Sequence, residues 1–265
     1  MRKILLVVTA VVLVATLIVA GCGKTTPKTG DAQKLLEESN KAMQSVKSYK
    51  AVGSISMSSI APGAGGLNIT FEMQIQQKGA EEFEGHMLMN SAGQDIEIYM
   101  TNGFAYTNEP GKGWVKQPLS SVTDFSKLAS PSDISKLGDA AQNARLLTED
   151  SQSYKVAFEL NSDYLKELMG LQKSTQGLSK EEKKIADAMI QGMKMDGIFK
   201  LEKSTMYVVG MVINFNIPNV ASTGTVKMEE KINLSEFNKP VEVNLPADAV
   251  NAPEATGGGG LIPTP

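Results

Sequence analysis

The stretch Ile69-Thr-Phe-Glu-Met-Gln-Ile-Gln76 decides the fold. Ile69, Phe71, Met73 and Ile75 alternate with Thr70, Glu72, Gln74 and Gln76, so one face is apolar and the other polar. A period of two marks a half-buried β-strand, because successive strand side chains point to opposite faces. The same period continues on both sides. Upstream, Tyr49, Ala51, Gly53, Ile55 and Met57 alternate with Lys50, Val52, Ser54 and Ser56, and Pro62, Gly63, Gly65 and Gly66 then break the chain. Downstream, Phe83, Met87 and Met89 predict a third strand, and Ile96, Ile98 and Met100 a fourth, with breaks at Lys78-Gly79 and Ala92-Gly93. Residues 104–107 and 114–117 follow, joined across Asn108 to Gly113. Strands joined by such short breaks predict an antiparallel meander.

Outside the meander the period changes. Residues 31–46 predict a helix that Asp31 can cap, with Leu35, Leu36, Ser39, Ala42, Met43 and Val46 on one stripe. Ser130-Pro131 is a second helix start, followed by Ile134, Leu137 and Ala141. Strands return at 144–148 and 154–160. A helical insert follows over 162–169 and 179–193, the latter opened by a capping box of Ser179 and Glu182. Three long strands, at about 195–203, 206–217 and 223–234, end the pattern. The expected fold class is α+β: a single large curved antiparallel sheet of about 11 strands. It would form a half-barrel with helices packed on its concave side and a groove between sheet and helices.

The first residues read as an export signal. Met1-Arg2-Lys3 is positively charged, residues 4–20 are apolar apart from Thr9 and Thr16, and Val19-Ala20-Gly21-Cys22 resembles a bacterial lipobox. The chain has one cysteine, at the position such a motif lipidates, so no disulfide can form within it. The expected organisation is a signal peptide over 1–21, a lipidated Cys22 with a flexible tether over 22–30, a folded domain over 31–246 and a disordered tail over 247–265. The tail carries Gly257-Gly-Gly-Gly260. An uncleaved membrane anchor is the alternative, and either places the folded part on the outer face of the cell membrane.

Charge and chemistry narrow the function classes. The net charge is −3, and loss of Arg2 and Lys3 would leave 24 basic against 29 acidic side chains. With no basic cluster, nucleic acid is not an expected partner, and membrane attachment falls to the lipid anchor. The one histidine, His86, lies in a strand opposite the Met87 and Met89 face, with no cysteine or nucleophile motif to serve. No metal-ligand cluster, phosphate loop or dinucleotide motif is present, so neither cofactor nor metal is expected. Asp95 with Glu97, and Glu229 with Glu230, are read as solvated strand surface. An enzyme is therefore the disfavoured class.

Methionine stands out, with 14 residues, of which Met57, Met73, Met87, Met89, Met100, Met211 and Met228 fall on expected inward faces. Unbranched and adaptable, these side chains suit a pocket for flexible apolar chains, and equally suit an irregular solid core.

The order of elements resembles the LppX/LprG family of bacterial lipoproteins, within the LolA-like superfamily. The likeness lies in the lipobox and a helix ending in Lys47-Ser48-Tyr49. It continues in Asp95-Ile-Glu-Ile-Tyr-Met100, Gly103-Phe-Ala-Tyr106, Gly113-Trp-Val-Lys116 and the closing Ser235-Glu-Phe-Asn-Lys-Pro-Val-Glu-Val-Asn-Leu-Pro246. The resemblance implies a half-barrel over an apolar cavity that holds acyl chains, and lipid transport or presentation. The candidate cavity residues are Met57, Ile69, Phe71, Met73, Ile75, Met87, Met89, Ile98, Met100, Phe158, Met189, Met211, Phe215 and Met228. Gly170, Gly177 and Gly192 would let the helical insert gate the groove. The alternative is a cell-surface interaction or sensor module of the same fold, with an envelope protein as partner and no lipid cargo.

Overall fold

The structure, a computed structural model, describes residues 29–59, 66–79, 82–109, 111, 113–119, 131–161, 164, 192–218 and 225–255. The meander comprises β1 (Ser48–Ser59), β2 (Leu67–Gln77), β3 (Phe83–Ser91), β4 (Gln94–Thr101), β5 (Phe104–Glu109) and β6 (Gly113–Pro118). The second run comprises β7 (Ala141–Glu149), β8 (Ser153–Leu160), β9 (Lys194–Glu202), β10 (Val208–Pro218) and β11 (Thr225–Ser235). Helix α1 (Thr29–Met43) precedes the strands, α2 (Pro131–Asp139) lies between β6 and β7, and α3 (Ala247–Val250) follows them. The gate expected over 162–193 lies almost wholly outside the described residues.

All eleven strands join one open antiparallel sheet in the order β6-β5-β4-β3-β2-β1-β11-β10-β9-β8-β7. Two meanders meet at a single seam, where β1 pairs β11 with Ala51 opposite Leu234, Ile55 opposite Glu230 and Met57 opposite Met228. Tight turns hold the hairpins in register. At β4–β5 the two linking residues, Asn102 and Gly103, both take left-handed backbone, with φ of 53° and 76°. Asn-Gly suits that turn because neither residue strains there, and the turn's twist matches that of the strands it joins.

The alternation seen in the sequence becomes the division between the two faces. In β2 the residues Ile69, Phe71, Met73 and Ile75 are buried, and in β4 Ile96, Ile98 and Met100 are buried. Helix α1 covers the β7–β8 end of this inner face through Ala32, Leu36 and Met43, each fully buried. Asn40, on the same helix, is also buried and donates to Asp139 Oδ1 at 2.7 Å, pinning α1 to α2. Gly138 makes that contact close, since a Cβ there would collide with the Asn40 side-chain amide.

Glycine at the seam lets backbone and ring approach closely. A Cβ on Gly53, in β1, would stand 2.5 Å from the Lys231 carbonyl oxygen and 2.6 Å from Phe71 Cζ. Phe71, the cross-strand partner, lies over the glycine, and the seam with β11 closes against it. Overpacking of this kind costs about 1–3 kcal/mol. Gly53→Ala is therefore expected to lower unfolding free energy by that amount, read as an earlier urea midpoint with an unchanged slope.

The carboxyl-terminal segment differs from the expected disordered tail. Residues 247–250 form α3, and Ala249 and Ala252 are buried against Tyr106, with Tyr99, Phe104, Trp114 and Leu245 around them. Lys116 N–H donates to the Pro253 carbonyl at 3.0 Å, and Ala255 N–H to the Lys116 carbonyl at 2.9 Å. The physical reason is an aromatic patch on the outer face of β4, β5 and β6, which this segment covers. Trp114 packs against that outer cluster.

Candidate functional site

The site is built from alternate residues of strands on either side of the β1–β11 seam. From β1 come Tyr49, Ala51 and Ile55, from β2 Phe71 and Met73, and from β10 Met211 and Phe215. Strand β11 adds Met228, Glu230, Ile232 and Leu234, and α2 lays Ile134 across them. Together they line a partly open cavity of about 150 Å³ whose wall is almost wholly apolar. An apolar cavity of that order can take up a small hydrocarbon. It is smaller than the roughly 300–1,000 Å³ of a typical site for a drug-sized ligand, so it fits part of a single alkyl chain.

Five of the fourteen candidate lining residues stand on this wall: Phe71, Met73, Met211, Phe215 and Met228. Ile69, Ile75, Met87, Met89, Ile98, Met100 and Phe158 are buried in the core but are not on the cavity wall. Their faces are occupied by neighbouring side chains; Phe158 packs on Phe199 at 4.5 Å between ring centroids. Met57 is 37% exposed and borders a separate, more polar depression with Asn214 and Lys227. Met189 lies outside the described residues.

Sequence reasoning missed Tyr49, Ala51, Ile55, Ile134, Ile232, Leu234 and, above all, Glu230. This carboxylate does not belong to the solvated surface. It faces the cavity from the middle of β11, with Ile55 and Ile213 opposite it on the neighbouring strands and Met228 and Ile232 two residues away on its own face. Among the described residues no hydrogen bond or ion pair reaches it. Glu229 and Lys231 point to the other face, where they pair at 2.6 Å. The signal was present: Glu230 has the same parity as Met228, Ile232 and Leu234.

Burial pushes the Glu230 carboxyl from its ordinary value near 4.5 up to about 7. Between those values the folded chain holds a proton that the unfolded chain has released. Stability contributed by this group is therefore full below about pH 4.5 and falls as pH rises through about 7. Among the described residues Tyr49 is the other titratable side chain on the cavity wall. Glu230→Gln removes the titration and keeps the shape. The variant is expected to be more stable than the parent near pH 8, by up to about 3 kcal/mol, and to converge with it near pH 4. Urea unfolding across that range checks the sign.

The outer face carries a second polar group. His86 Nε2 lies 3.0 Å from Glu97 Oε1, Tyr99 donates to the same oxygen at 2.8 Å, and the His86 and Tyr99 rings stack at 4.4 Å. Burial, then the bond to Glu97, pushes the Tyr99 phenol up to about 12. A group held neutral so firmly acts here as a structural donor. Among the described residues no group of three or more His, Cys, Asp or Glu could hold a metal ion. Nor is any described helix long and apolar enough to cross a membrane.

Comparison with known proteins places this architecture. Residues 31–254 match the model of a family described as a family of unknown function (DUF6612). No curated protein matches the chain. The crystal structure of LprF from Mycobacterium bovis is similar, with a TM-score of 0.52 and 16% identity, over 84% of this chain and 99% of that one. A LolA superfamily protein from Nitrosomonas europaea aligns over 77% of this chain and 94% of that one, with a TM-score of 0.27 and 11% identity. The likeness to LprF shows the fold, one open, curved antiparallel sheet, and no more than the fold.

Proposed function

The chain belongs to the DUF6612 family, and from its inner cavity we propose that it binds a lipid or other apolar molecule by enclosing an alkyl chain between sheet and helix. The observation that carries this reading is the hollow between Phe71, Met73, Met211, Phe215, Met228 and Ile134. Close packing is the rule in protein interiors, so an apolar void of this size forgoes contacts that an alkyl chain would supply. Each buried methylene would contribute about 0.8 kcal/mol. We further propose that Cys22 is lipidated, that the protein is held on the outer face of the cell membrane, and that it transports or presents its ligand there, as LppX/LprG-type lipoproteins would. The lipobox-like leader supports the anchor, and the cavity supports the cargo.

Native mass spectrometry of the protein taken from its own membranes tests both parts. The expected result is a mass raised by diacylglycerol at Cys22 and a second, non-covalent lipid lost on activation. Protein that is always empty, and that takes up no fluorescent fatty acid, would leave the sensor reading in its place.

A further inference from the structure

Among the described residues the cavity wall holds one charged side chain, and no hydrogen bond or ion pair answers it. Glu230 stands between Ile55 and Ile213, above Met228 and below Ile232, and points into the hollow. An unpartnered carboxylate in such surroundings is costly to keep, and core packing alone would favour an aliphatic residue at this place in the strand. We propose that Glu230 determines the specificity of the cavity, and that the preferred ligand is an amphiphile carrying a cationic nitrogen at the end of its alkyl chain.

This deepens the apolar-binder reading and rests on it. A protonated amine brings the opposite charge and hydrogen-bond donors that the carboxylate lacks, so the pair forms in a low-dielectric site where it is strong. An alcohol brings a donor without the charge. A fatty-acid carboxylate or a phosphate monoester would set like charge against like, and no cation on the described wall offsets it. The alkyl body is then held by Phe71, Met211 and Met228, whichever headgroup it carries.

Isothermal titration of the purified full chain near pH 8 tests the proposal with decylammonium, decanol and decanoate, each below its micelle concentration. Decylammonium is expected to bind about tenfold or more tighter than decanol, with decanoate the weakest, since the ammonium adds a full opposite charge to the hydrogen bond that the alcohol also donates. In Glu230→Gln, circular dichroism should report an intact fold. The ammonium preference should vanish, with decanol binding the variant at least as tightly as decylammonium. Equal binding of decylammonium and decanol by the parent overturns this proposal alone, as does a preference that survives the substitution. Failure of the parent to bind any of the three overturns the apolar-binder reading and this proposal with it.

Discussion

Met228→Trp is expected to weaken binding of a long alkyl ligand about a hundredfold while leaving the fold as stable as before. Met228 lines the cavity and is only half-buried, so a larger ring there can grow into the empty space without forcing the core apart. An indole would occupy much of a hollow of about 150 Å³. Excluding about four methylenes at 0.8 kcal/mol each removes roughly 3 kcal/mol of binding, which is about two powers of ten in Kd. Displacement of a fluorescent fatty acid reads the loss. The urea midpoint should stay put or rise, because the ring fills a void that costs the parent dispersion contacts.

Phe199→Ala is expected to do the reverse. Phe199 is 1% exposed on the inner face of β9, behind the cavity wall and not on it. Its ring packs against Phe158 at 4.5 Å, with Val156 opposite it on β8 and Met211 on β10. Removing a buried aromatic ring typically costs about 3–5 kcal/mol, a large share of the 5–15 kcal/mol by which such domains are stable. Urea unfolding should show that fall. Where the variant still folds, alkyl affinity should change little, because its place in the sheet is beyond the ligand. The two substitutions together separate filling the hollow from holding up its walls.

Much of this architecture was legible because a strand exposes its two faces in strict alternation. Ile69 to Gln76 announced β2 and its buried face, and the same rule located all eleven strands to within a few residues. Pairing between distant strands was not legible. Alternation tells which face is buried but not which strand lies alongside, so the seam of β1 with β11 could not be read from either segment. The short helix α3 was missed for another reason. Four residues show no helical period, and what holds Ala249 in place is an aromatic patch on strands more than a hundred residues earlier.

The cavity was only partly legible, and methionine shows why. Met87, Met89 and Met100 are 1–5% exposed and packed solid, while Met73, Met211 and Met228 line the hollow. Nothing distinguishes the two groups in sequence, because all six are methionines on inward strand faces. What separates them is the fit of neighbouring elements, a property of the assembled sheet and of α2. Glu230 is the opposite case. Its parity placed it inside from the start, and only its charge argued for the surface.

The most direct test of the account is to see where an alkyl chain goes. A crystal of the protein grown with bromodecanol should show an anomalous bromine peak inside the sheet, within contact distance of Phe71, Met211, Met228 and Ile232, with Ile134 of α2 closing over it. A peak confined to the outer face, or an inner face whose side chains have closed solid and left the alkyl chain unbound, would contradict it.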